Sequence, residues 1–252
     1  RIKEKTINHG TIQFIITAGE ESGLVGAKEL NPEHIIAKYG FAVDSDGKVG
    51  GIVVAAPFQA KVNVKVFGKT AHAGVAPEKG ISAITVAAKA VAQLKLGRLD
   101  EETTANIGRF EGGKATNIVC DEVTIFAEAR SIDEAKLNAQ TAHMKETFER
   151  VAKENGARAE VEVFLSYPGF RVTENDKVVQ IAQRAATAVG RTPQLGISGG
   201  GSDANIIAGF GIPTVNLSVG YEEIHTTNER IPVEELEKLA DLLEQIIVET
   251  TK

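Results

Sequence analysis

Residues 59–67, QAKVNVKVF, set polar and apolar side chains in regular alternation. That period of two is the signature of a strand with one buried and one wet face. The texture upstream is different. Residues 11–18, TIQFIITA, form a β-branched apolar run that reads as a strand buried on both faces, as in a parallel sheet. The change falls near residue 57, where a second unit begins. A segment rich in Ala and Val at 80–96 reads as a helix, and strand-like runs occupy 104–111 and 122–129. A helical stretch at 133–155 and a strand at 159–165 complete the order β-α-β-β-α-β, that of a ferredoxin-like unit.

On either side of this unit the pattern is α/β. Residues 40–46, GFAVDSD, read as a short strand ending in acids, after a helix near 24–30. Past Pro168-Gly169, helical patterns at 175–189 and 202–209 flank the cluster Gly199-Gly200-Gly201. An apolar strand at 214–219 and an amphipathic helix at 232–250 close the chain. The expected architecture is an α/β domain of residues 1–59 and 171–252, interrupted by a ferredoxin-like α+β domain of residues 60–170.

Bulk composition narrows the function. With 42% hydrophobic and 25% charged residues, the chain is an ordinary globular one. A net charge of -6 without a basic cluster gives no electrostatic case for nucleic acid or an anionic membrane. Cys120, the single cysteine, excludes an internal disulfide and a cysteine-based zinc site, and fits a reducing cytoplasm. No apolar run approaches the roughly 18 residues of a membrane span. The chain opens Arg1-Ile2-Lys3 with no initiator Met or signal peptide, from which we expect the gene product to be longer.

Several polar groups sit where such sheets place their chemistry, just past strand ends. Glu20-Glu21 closes the first apolar run. Two adjacent carboxylates are costly in a cleft unless a cation offsets them. They read either as metal ligand and proton acceptor or as an acidic turn capping a helix. Asp44 and Asp46 close the second strand, and His225 comes after the strand at 214–219. His, Asp and Glu together are the ligand set of a hydrolytic zinc site. Gly200, Ser202 and Asp203 belong to a turn that exposes N–H groups to an anion, or simply caps a helix. His72, in GKTAHAG, suits hydrogen bonding to an oxyanion, or is a plain surface histidine. Arg130 could pair with a substrate carboxylate, or be an edge-strand cation; Asn117 lies nearby.

In order and spacing, the segments TAGEESGLVGAKEL, FAVDSDG, VFGKTAHAG, ATNIV, EARS, SGGGSDANIIAGFGIPTVNLSVG and EEIHTTNERI resemble the peptidase T-like family of zinc metallopeptidases. The resemblance implies a catalytic zinc-exopeptidase domain with an inserted ferredoxin-like lid that also dimerises. It implies two zinc ions per subunit, with Mn or Co as substitutes. Glu20 would be the general base, Glu21 and His225 ligands of one zinc, and Asp44 a ligand of the other. His72 would reach the partner subunit's active site, and Asn117 and Arg130 would bind substrate. Gly200, Ser202 and Asp203 would line the substrate pocket.

The family's first zinc-binding His and its bridging Asp belong upstream of residue 11, and neither lies in this sequence. The resulting expectation is a cytoplasmic, homodimeric exopeptidase of short peptides that binds neither nucleic acid nor membrane. A deacylase or amidohydrolase of the same superfamily would share the chemistry. A dimerisation or binding module that has lost its metals is the reading of another class.

Overall fold

A computed structural model describes residues 1–252. The chain divides into two compact units, Arg1–Pro57 with Pro168–Lys252, and Phe58–Tyr167. The first begins with a short helix α1 (Val25–Lys28), strand β1 (Gly40–Ser45) and strand β2 (Gly51–Ala56). The second holds β3 (Phe58–Phe67), α2 (Ala83–Val91), β4 (Gly97–Arg98), β5 (Thr103–Gly112), β6 (Glu122–Ser131), α3 (Glu134–Glu154) and β7 (Arg158–Tyr167). The chain then returns to the first unit with β8 (Phe170–Arg171), α4 (Lys177–Ala188), β9 (Gln194–Ile197), α5 (Asp203–Gly209), β10 (Thr214–Ser218) and α6 (Val233–Glu249).

In the second unit the alternation of QAKVNVKVF decides which face is buried. Val62, Val64 and Val66 point into a core with Val123 and Ile125 of β6, while Lys61, Asn63 and Lys65 stay on the wetter face. Ala83, Val86, Ala87 and Ala90 of α2 and Leu137, Met144, Phe148 and Val151 of α3 cover the core. Ser82 and Asp133 cap the two helices by accepting first-turn N–H bonds. The sheet is antiparallel in the order β4-β5-β6-β3-β7, the ferredoxin-like arrangement expected from the element order.

The first unit is a mixed sheet. β1 and β10 run parallel, β2 is antiparallel to β10 and parallel to β9, and β8 adds an antiparallel edge. Ile52, Val215 and Leu217 pack with Val178, Ile181 and Ala185 of α4 and Leu242 and Ile246 of α6. A smaller core, Val53, Ala56, Phe170 and Ala204, joins β2, β8 and α5. No helix is long and apolar enough to cross a membrane.

One sequence expectation fails. Residues 11–18 are not a buried strand: they are irregular, and Phe14 and Ile16 are 86% and 80% exposed. A strand needs a neighbour for its N–H and C=O groups, and this run has none in either sheet. Side-chain and turn bonds hold it instead: Gln13 accepts from the N–H groups of Ile36 and Ala37 and donates to the carbonyl of His34, and Thr17 donates to Asp203.

Candidate active site

Glu20 and Glu21 sit in a tight turn built by glycines. Gly19 and Gly23 have φ of +71° and +97°, which side chains other than glycine adopt with strain. The carbonyl of Glu20 accepts the N–H groups of Gly23 and Leu24, and Gly26 donates to the Ala18 carbonyl. A Cβ on Gly26 would come within 2.5 Å of that oxygen, so the close approach requires glycine.

Asp44 reaches the same region from the end of β1. The β1/β10 register shifts between Val43 and Ser45, leaving Asp44 as a bulge residue. Its N–H is taken by the Asn216 side chain at 3.0 Å, and the Tyr221 hydroxyl donates to its Oδ1 at 3.4 Å. His225 lies beyond β10 in a loop where both Glu223 and His225 have positive φ, 55° and 62°. The Glu229 carboxylate holds the His225 N–H at 2.9 Å.

The structure brings these groups together. His225 Nε2 lies 3.2 Å from Glu21 Oε1, although the side chains are 68% and 75% exposed. Glu20 is pushed up to about 7 by loss of hydration, then by the negative charges of Asp44, Glu21 and Asp203, with His225 opposing. Asp44 is raised too, chiefly because its carboxyl loses hydration although the residue keeps solvent exposure, and further by Asp203 and Glu21. Asp203 accepts a short hydrogen bond from Thr17, while its Oδ1 is buried without a partner. Beside this cluster, Asp44, Asp46, Gly200, Ser202, Ile197 and Ile224 help line a cavity of about 370 Å³, the size of a small-ligand site. The Ser202 hydroxyl caps α5, accepting from Ala204 N–H.

The other three candidates lie in the second unit. The His72 and Asn117 loops are joined, with the Ala73 N–H donating to the Asn117 carbonyl at 2.9 Å, and both residues are exposed. Arg130 is at the far end of β6, opposite Gln59, whereas the loops lie beyond the Phe67–Glu122 pair. Eight ladder steps at about 3.4 Å separate those ends by roughly 27 Å. Arg130 Nε donates to Glu128 at 2.8 Å. Sequence reasoning missed Asn216 and Tyr221. A polar Asn inside the wholly buried strand TVNLS was a usable signal, because buried polar groups are there to bond something. Tyr221 had none.

Residues 59–156 match the family model of a peptidase dimerisation domain. Over its whole length the chain is similar to the structure of aminopeptidase PepT from Bacillus cereus, with 70% identity and a TM-score of 0.95, covering 67% of that chain. It is also similar to a tripeptidase structure from Staphylococcus aureus, with 55% identity and a TM-score of 0.94, over 98% of this chain and 66% of that one. The uncharacterized protein YqjE of Bacillus subtilis is 63% identical over 251 residues, 100% of this chain and 68% of its own. The chain belongs to the peptidase T-like family of M20 peptidases, a family of hydrolases. It spans about two thirds of the length of these relatives.

Members of the family are generally metal-dependent, and the donors can be tested against that. Two ligands about 2.0–2.1 Å from a tetrahedral zinc ion lie roughly 3.3 Å apart, which the 3.2 Å Glu21–His225 pair fits. A closed zinc site needs three or four protein donors. No group of three or more His, Cys, Asp or Glu side chains converges on a common point. The residues of this chain do not complete a metal shell among themselves.

Proposed function

We propose that the complete protein hydrolyses short peptides from the amino end, with Glu20 as general base, and that this chain carries part of its metal centre. The observation that supports it best is the Glu21–His225 pair beside Glu20 and Asp44. Residues from three separate places in the chain meet there, next to a cavity of substrate size. In this reading residues 1–57 and 168–252 belong to the catalytic domain and 58–167 form the lid. Glu21 and His225 would hold one zinc and Asp44 a second, together with donors from outside this chain. Glu20 takes a proton from the attacking water and passes it to the leaving amine. His72 donates to the developing oxyanion, Asn117 and Arg130 hold substrate, and Gly200, Ser202 and Asp203 belong to the pocket wall. The roughly 27 Å between the ends of the sheet argues that His72 and Arg130 of one chain serve different active sites.

A panel of tri- and dipeptides, with and without an N-acetyl group, tests the activity in the full-length protein. Free-amino tripeptides should be cleaved and their acetylated forms should lose at least about 10²-fold in kcat/KM, since a site built around an amine leaves its polar partners unpaired with the blocked form. Equal rates on N-acyl substrates would make it a deacylase instead.

The working form in this proposal is a homodimer joined through the second unit. β7 pairs on one side only, with β3, so its other edge is open, and Val163, Phe164 and Leu165 on it are exposed. Light scattering of the full-length protein at micromolar concentration should give twice the chain mass. The mass of a single chain would remove the dimer. We place the protein in the reducing cytoplasm, on its one buried, unpaired Cys120.

A further inference from the structure

The chain leaves the first unit at Pro57 and re-enters it at Pro168. The β2/β8 ladder pairs Ala55 with Arg171 and Ala56 with Phe170, and there it stops. Proline has no N–H, so the ladder cannot continue through these residues. Their carbonyls still need donors. Asn205 of α5, 0% exposed, supplies both: its Nδ2 donates to Pro57 O at 3.1 Å and to Pro168 O at 2.8 Å. Its Oδ1 accepts the Ser202 N–H at 3.0 Å; this bond and that to Pro57 are buried, and that to Pro168 is partly so.

The bonding continues towards the site. Ser202 Oγ accepts from Asn216 Nδ2 at 3.2 Å. Asn216 Oδ1 in turn accepts the N–H of Asp44 at 3.0 Å, at the bulge where the β1/β10 ladder breaks register. Ser202 and Asn216 are buried as well. Satisfied polar chains in a low-dielectric interior reinforce one another and fix one arrangement, whereas losing a member strands its neighbours.

We infer that Asn205, Ser202 and Asn216 form a buried positioning relay that ties the two crossing peptides to the Asp44 bulge. These are positioning residues, not catalytic ones. The importance of Asp44 rests on the proposed peptidase function, but the relay concerns hydrogen bonds and can fail or stand independently of it.

Hydrogen–deuterium exchange in the full-length protein, read by mass spectrometry, tests the relay. Asn216→Leu should speed exchange at 43–46 about five- to tenfold, the loss expected for one buried hydrogen bond. Asn216→Asp keeps the acceptor for Asp44 N–H, and the Ser202 hydroxyl can turn to donate to the new oxygen, so exchange there should stay within about twofold of the parent. Asn205→Asp replaces the donor with an oxygen that faces two carbonyls. It should speed exchange at 54–59 and 166–172, and through the relay at 43–46, while 60–66 keeps the parent rate. Parent-rate exchange at 43–46 in that variant would overturn the relay. An equal rise at 60–66 would mean general loosening and overturn it too. If Asn205→Asp does not fold, Ser202→Ala cuts the middle link, and parent-rate exchange at 43–46 there counts the same way.

Discussion

Glu20→Gln in the full-length protein is expected to lower turnover by about 10²–10⁴-fold, the usual worth of a positioned general base, and to leave the metal content unchanged. Gln keeps the shape of the side chain and its place in the glycine turn, but it cannot accept a proton. The neighbouring Glu21→Gln should act differently. Glu21 stands 3.2 Å from His225, so neutralising it should cut metal affinity first and activity as a consequence. Added metal should therefore restore part of the activity of Glu21→Gln and none of that of Glu20→Gln. The contrast matters because the two residues are neighbours in sequence and their roles rest on direction alone. Glu21 faces the histidine, while half-buried Glu20 lies among the charges of Asp44, Glu21 and Asp203. A Glu20→Gln enzyme with parent-level turnover, or one that has lost its metal, would end the general-base assignment.

How far the sequence could be read depended on whether a signal was local. Lys61 to Val66 state their own burial by alternation, and the structure buries the valines. Helices α3 and α6 could be read to within a few residues because the apolar spacing lies inside the segment, with an Asp133 cap for α3. TIQFIITA misled for the opposite reason. Its apolar character reports a preference for burial, but burial needs a neighbouring strand that only the tertiary structure can supply, and here none pairs with it. β2, GIVVAA, is not legible as a strand from its residues, since a fully apolar run has no period that tells strand from buried helix. In the candidate site, Glu20, Glu21, Asp44 and His225 were conspicuous as metal-binding residue types after apolar runs. The relay residues were not, since an Asn that serves another residue's N–H carries no mark of the partner. Asn205 lies 148 positions from Pro57, and nothing in SDANIIAG points to it.

Residues 1–252 on their own are expected to bind zinc only weakly and to show no measurable peptidase turnover. The argument is about donors. In the proposed reading Glu21 and His225, 3.2 Å apart, are two ligands of one ion, and no third His, Cys, Asp or Glu closes with them. Complete structural zinc sites bind with about 10–16 kcal/mol. Half a shell should therefore hold roughly 5–8 kcal/mol, a Kd between about 1 and 200 µM. Both donors are largely exposed, so water competes for every remaining position on the ion. His225→Ala should weaken even this binding by at least about tenfold, because the pair becomes a single carboxylate. Isothermal titration with zinc, with and without that substitution, measures both numbers. Two ions held at nanomolar affinity, or tripeptide turnover in the common enzymatic range of about 1–10³ s⁻¹, would show that this chain closes a metal centre through donors other than those named. His225→Ala binding zinc as tightly as the parent would separately remove the histidine from the site.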